Sequence, residues 1–118
     1  MRVEQFTVPM PAKSKARPRK GANGRMHMPT DYSQWKRDFA WAAKTAMRGK
    51  RFENEVDVIM SFRKDSVNIT IMESERPRFG QSDIDNLAGG VMDALQDGGL
   101  IVNDSKVVDL HAMFEVGE

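Results

Sequence analysis

The alternation of apolar and polar residues over Val3–Val8 predicts a first strand, with Val3 and Phe6 or Val8 turned to the core. Pro9 and Pro11 end it. Apolar periodicity then lapses over residues 12–29, a stretch too long and polar for a simple connection. It resumes with helical spacing. Thr30 or Asp31 can cap a helix running to about Arg48, whose buried stripe is Trp35, Phe39, Ala42, Ala43 and Ala46. Lys36, Arg37 and Lys44 form its wet side, and Gly49 ends it. Trp41 falls off the stripe; a base stack, partial core and a subunit contact are all open to it. Val56–Phe62 and Val67–Ile71 alternate as two strands about the turn Lys64-Asp65-Ser66, which predicts a hairpin. Residues 73–82 form a second loop, with Pro77 and Gly80 as breakers. A helix-length run, Leu87–Leu95, has its stripe at Leu87, Val91, Ala94 and Leu95 and stops at Gly98-Gly99. The apolar members Val107, Val108, Leu110, Met113 and Phe114 predict a last strand over 106–114. Strands and helices together give a small α/β (α+β) chain, read as a single domain over 1–118.

The second helix changes the picture because of what flanks it. Asp83 and Asp85 stand one residue apart before it, and Asn103-Asp104 follows it. In a helix, positions i and i+2 point to different sides; in an extended segment they share a face, roughly 6–7 Å apart. The pair can therefore share a metal ion only where the segment is extended and the helix begins just after it. Asp104 can return to the same site. Three carboxylates without His or Cys are hard oxygen ligands, which suit Mg²⁺ or Mn²⁺ and not zinc. Such sets drive phosphodiester hydrolysis by activating water and neutralising the leaving oxygen. The same residues also read as an ordinary helix cap and an ordinary turn. An EF-hand loop is excluded, since Leu87 stands where a third oxygen ligand is needed. His27 and His111 are lone histidines and receive no role.

Charge adds a second theme. The net charge of +1 hides an asymmetry: residues 1–52 carry 13 Lys/Arg against 3 Asp/Glu, and residues 53–118 carry 5 against 14. Lys13, Lys15, Arg17, Arg19, Lys20 and Arg25 fall in the acid-free segment 12–29, which Gly21, Asn23 and Gly24 make pliable. Cations at that spacing suit a phosphate backbone; a solvated loop is the plainer alternative. Arg76 and Arg78, just ahead of the acidic pair, can hold the phosphate under attack, or simply face solvent. There is no cysteine, hence no disulfide or thiolate metal site. No run approaches membrane-spanning length and residues 1–10 lack a secretory apolar block, so a soluble, cytoplasmic protein is expected.

The motif D-I-D-N-L-x(3)-V-M-D-A-L followed by N-D-S-K-V-V-D resembles the RusA family of Holliday-junction resolvases, mostly encoded by phages and prophages. The opening V-P-M-P-x-K-x-K-A-R-P-R is similar to that family's first strand and basic loop. The resemblance implies a mixed sheet, a homodimer, and paired symmetric nicks in four-way DNA with Mg²⁺ or Mn²⁺, in recombination and repair. It needs no organic cofactor and no membrane. Its three catalytic aspartates fall on Asp83, Asp85 and Asp104. One position departs: a lysine four residues after the second aspartate is usual, and here stands Gly89, followed by Gly90. Lys106, Arg76 or Arg78 can take over that charge, the glycines can admit a close approach, or the protein binds junctions and cuts them weakly.

Overall fold

The computed structural model describes residues 2–21, 24–76, 80 and 82–115, without the side chain of residue 19. It is a small α+β chain with two main helices, and it divides into two compact units, Met1–Ser74 and Glu75–Glu118.

The first unit holds strand β1 (Val3–Val8), a short ribbon of β2 (Arg19–Lys20) and β3 (Met26–His27), helix α1 (Thr30–Ala46), and strands β4 (Val56–Phe62) and β5 (Val67–Glu73). The three long strands form one sheet in the order β1-β5-β4, and every described strand pair is antiparallel. β1 and β4 both run against β5, so α1 links two strands of like direction with a third between them. The hairpin expected from the alternation is present as β4–β5, closed by the Arg63 N–H donating to the Ser66 carbonyl at 2.9 Å.

Register decides which face is apolar. Val8, Phe6 and Glu4 stand opposite Val67, Ile69 and Ile71, and those in turn stand opposite Phe62, Met60 and Val58. Residues directly opposite share a face. Helix α1 packs over β1 on this sheet. The buried residues are Val8, Tyr32, Met47 and Val67, with Val8 and Val67 only 1% and 2% exposed. Phe6 and Val8 thus alternate inward as expected, while Val3 lies on the other face and is exposed. Over the edge strand β4 the apolar side chains Val58, Met60 and Phe62 remain exposed.

Helix α1 carries an aromatic ladder, Tyr32–Trp35–Phe39, with ring centroids 5.7 and 5.2 Å apart. Tyr32 and Met47 are the buried residues that the stripe Trp35-Phe39-Ala42-Ala43-Ala46 leaves out; Ala46 is exposed. The helix ends in a hydrogen-bonded reversal in which the Arg48 and Gly49 N–H groups donate to the Thr45 and Lys44 carbonyls. Arg48, at φ 56°, and the expected stop Gly49, at φ 75°, both take the left-handed conformation there.

The second unit holds helix α2 (Ile84–Asp97) and a 3-10 turn (Asp104–Lys106). α2 begins three residues earlier than the run Leu87–Leu95 indicates. The reason is a longer stripe: Ile84, Leu87, Ala88, Val91, Met92 and Leu95 line one apolar groove at helical spacing. α2 ends at Gly98-Gly99, where the Gly99 and Leu100 N–H groups donate to the Gln96 and Leu95 carbonyls and Gly99 has φ 76°. The last strand expected over 106–114 is not formed: residues 107–115 take no regular structure. A strand needs a ladder partner for its backbone, and here Leu110, Met113 and Phe114 instead line the groove along α2. No helix among the described residues is long and apolar enough to cross a membrane.

Candidate active site and nucleic-acid surface

The acidic residues gather around α2. Asp83 is its N-cap, in extended conformation (φ −70°, ψ 152°), and its carbonyl accepts from the Leu87 N–H at 3.1 Å. Asp85 lies inside the first turn. Helix α2 therefore starts between the two aspartates and not after them, because Ile84 belongs to the apolar stripe, so the extended stretch over both aspartates that sharing an ion was expected to require is not formed. Both carboxylates are exposed, at the end of the helix where unpaired N–H groups favour negative charge.

Asp104 opens the 3-10 turn. The Asn103 side chain accepts from the Ser105 N–H at 2.9 Å, and the Asp104 N–H donates to Gln96 Oε1 at 3.0 Å. Gln96 has no place in the sequence-derived site, yet it fixes where Asp104 sits. Its one signal is position, a polar side chain in the last turn before the Gly98-Gly99 reversal. At a rise of about 1.5 Å per residue, Gln96 stands about 16 Å along the axis from Asp85. Asp104 is thus anchored toward the far end of α2 from Asp83 and Asp85. Among the described residues, no three His, Cys, Asp or Glu side chains form a group able to hold a metal ion. The donor chemistry fits a hard divalent cation, and one chain brings two of the three carboxylates to the same helix end.

The cations nearby have separate fates. Lys106 is exposed in the same short turn as Asp104. Arg76 Nη1 donates to the Phe114 carbonyl at 3.4 Å. Arg78 lies outside the described residues. Gly89 and Gly90 are exposed within α2, and a Cβ on either meets nothing within 4 Å.

The basic segment belongs to the first unit. It is not wholly irregular: β2 and β3 pair as Arg19↔His27 and Lys20↔Met26. The ribbon is closed by the Gly21 N–H to the Arg25 carbonyl at 2.7 Å, with Gly24 at φ 81°. Its base is pinned to α1 by Trp35, whose Nε1–H donates to the Pro11 carbonyl at 2.9 Å. Lys13 Nζ pairs with the Asp31 carboxylate at 3.3 Å. The hydrogen bond from Lys13, then that from the Tyr32 backbone, holds the Asp31 carboxyl below the usual carboxylate range. Lys13 is therefore partly engaged. Lys15, Arg17 and Lys20 are exposed and pair with no carboxylate among the described residues, and Arg25 is exposed as well.

An exposed cationic ribbon and an exposed aspartate pair at a helix start, on a small α+β scaffold, make up a protein of the nucleic-acid-acting class. A family profile described as Endodeoxyribonuclease RusA matches residues 9–118, nearly the whole chain, and the chain belongs to that family. Membership makes it an endodeoxyribonuclease of the Holliday-junction-resolving kind, acting on branched DNA. No curated protein and no solved structure matches it.

Proposed function

We infer that this chain resolves four-way DNA junctions by paired symmetric nicks, with Mg²⁺ or Mn²⁺, and that Asp83, Asp85 and Asp104 carry the reaction. The family match over residues 9–118 is the observation that carries this reading. A divalent ion held by these carboxylates supplies water activation and charge neutralisation at the leaving 3′ oxygen. The chain's own part is to position: the start of α2 presents Asp83 and Asp85, and Gln96 anchors Asp104. In this reading Lys106, which shares the short turn of Asp104, is the first candidate to supply the cation at the scissile phosphate, with Arg76 and Arg78 as the others. Lys13, Lys15, Arg17, Arg19, Lys20 and Arg25 hold the DNA arms through phosphate contacts.

The working form is a homodimer. Two observations support it. The core of the first unit is thin, and apolar side chains stay exposed on β4 (Val58, Met60, Phe62) and on α2 (Ile84, Leu87, Val91). The Asp104 backbone N–H is also bonded to Gln96, in the last turn of α2, while Asp83 and Asp85 stand at its start. Two α2 helices packed antiparallel about a two-fold axis would set each Asp104 beside the other chain's Asp83 and Asp85.

The test is a synthetic four-way junction beside a linear duplex of the same sequence, with Mg²⁺ and with EDTA. Symmetric, metal-dependent nicks confined to the junction are expected. Asp85→Asn should lose them while junction binding persists; unchanged cleavage removes Asp85 from the site. Gly89 favours a second reading, a junction-binding protein with weak cleavage. Binding without nicks, with cutting restored by Gly89→Lys, would establish it.

A further inference from the structure

Neither the fold nor the proposed chemistry accounts for Trp41. It lies on α1 away from the Tyr32–Trp35–Phe39 ladder, and it is 70% exposed. Its backbone carbonyl accepts from Thr45 Oγ1 at 2.9 Å, a bond that leaves the indole uncommitted. A large aromatic ring left in water is unfavourable unless a partner covers it in the working state.

The neighbours on the helix surface say which partner. Arg37 lies four residues before Trp41 and Lys44 three after, so both adjoin it on the same face. Both are exposed and pair with no carboxylate among the described residues. On the other flank, Asp38 accepts a hydrogen bond from Gln34 Nε2 at 2.9 Å. An apolar protein surface seated on Trp41 would strip water from two unpaired cations. A nucleotide brings a flat ring for the indole and phosphates for the cations, so the charge pattern matches.

We propose that Trp41 is a stacking platform for a base exposed at the branch point of the DNA junction, with Arg37 and Lys44 gripping the adjacent phosphates. This rests on the reading that the chain acts on branched DNA, and it adds a means of telling a junction from a duplex. Bases inside a linear duplex are already stacked on each other, so an indole gains nothing from them. Bases at a branch point can leave the stack at smaller cost. Trp41 then acts on binding and positioning and takes no part in the bond-breaking step.

The experiment measures affinity for a four-way junction and for a linear duplex, both in EDTA, so the aspartates play no part. Trp41→Ala should weaken junction binding about tenfold or more while changing duplex binding less than twofold. Trp41→Phe should restore most of the junction affinity. Arg37→Gln with Lys44→Gln should weaken both DNA forms and flatten the salt dependence, which Trp41→Ala leaves alone. Added junction should quench wild-type tryptophan emission more than it quenches Trp41→Phe. The proposal is overturned by unchanged junction affinity in Trp41→Ala, by equal losses on both DNA forms, or by Trp41→Ala dissociating a dimer, which would make the indole a subunit contact. A wild-type protein with no junction preference would instead remove the branched-DNA reading, and this proposal with it.

Discussion

Gly89 and its neighbour Gly90 set the chemistry of α2 apart at the residue scale. Each occupies a helix interior, where glycine is about 1 kcal/mol less favourable than alanine. A Cβ at Gly89 meets no atom within 4 Å, so nothing within the chain requires the glycine. Gly89→Ala is therefore expected to raise stability by about 1 kcal/mol, read as a thermal midpoint several degrees higher. A lower midpoint would mean that a second chain comes close to the helix there in the native assembly. Asp83 and Asp85 differ in a related way. One caps and the other is helical, so their carboxylates leave the backbone in different directions even though they stand one residue apart.

At the scale of the element, the basic segment works as a ribbon tied at its base. Trp35 holds the Pro11 carbonyl, Lys13 holds Asp31, and the β2–β3 pair stiffens the far part. Lys15, Arg17 and Lys20 stay exposed, and in the proposed DNA-binding role the tethering would lower the entropy lost on contact. Neutralising Lys15, Arg17 and Arg19 together should weaken binding to every DNA form. It should also reduce the slope of log affinity against log salt by two to three units, since each phosphate contact releases about 0.9 counterion. Equal slopes before and after would detach these residues from the DNA.

For the whole molecule, the proposed site requires three carboxylates together, whereas one chain bonds the Asp104 backbone to Gln96 in the last turn of α2. Subunit mixing tests which chain supplies each. Asp85→Asn and Asp104→Asn should each be inactive alone. In a mixed dimer with composite sites, one site carries both lesions and the other carries neither, so nicking of a single strand should return. If all three aspartates of a site came from one chain, each site would keep a lesion and mixing would restore nothing. In the proposed homodimer, the exposed apolar side chains of α2 and β4 are the surfaces available for burial against a copy of the chain.

Much of this was legible in the sequence, because local pattern encodes local structure. The strands Val3–Val8 and Val56–Phe62, the hairpin, both helices and the glycine stops follow from periodicity and turn chemistry, which depend on near neighbours alone. The family, too, was written in the run from Ser82 to Asp109 together with the N-terminal basic stretch. The tertiary structure decided what depends on residues distant in the chain. Register put Val3 on the outer face and Val8 in the core, since a strand's inward side is set by its partner and not by its own alternation. The segment 107–115 has the pattern of a strand but lies along α2, because pattern cannot supply a ladder partner. Gln96 carries no signature of its own and fixes Asp104 through one hydrogen bond that forms only after the chain turns back at Gly98-Gly99. Trp41 was undecided between core and surface until the fold left it in water beside two cations. Contacts across many residues cost chain entropy and are chosen by the whole set of packed surfaces, which no single stretch of sequence displays.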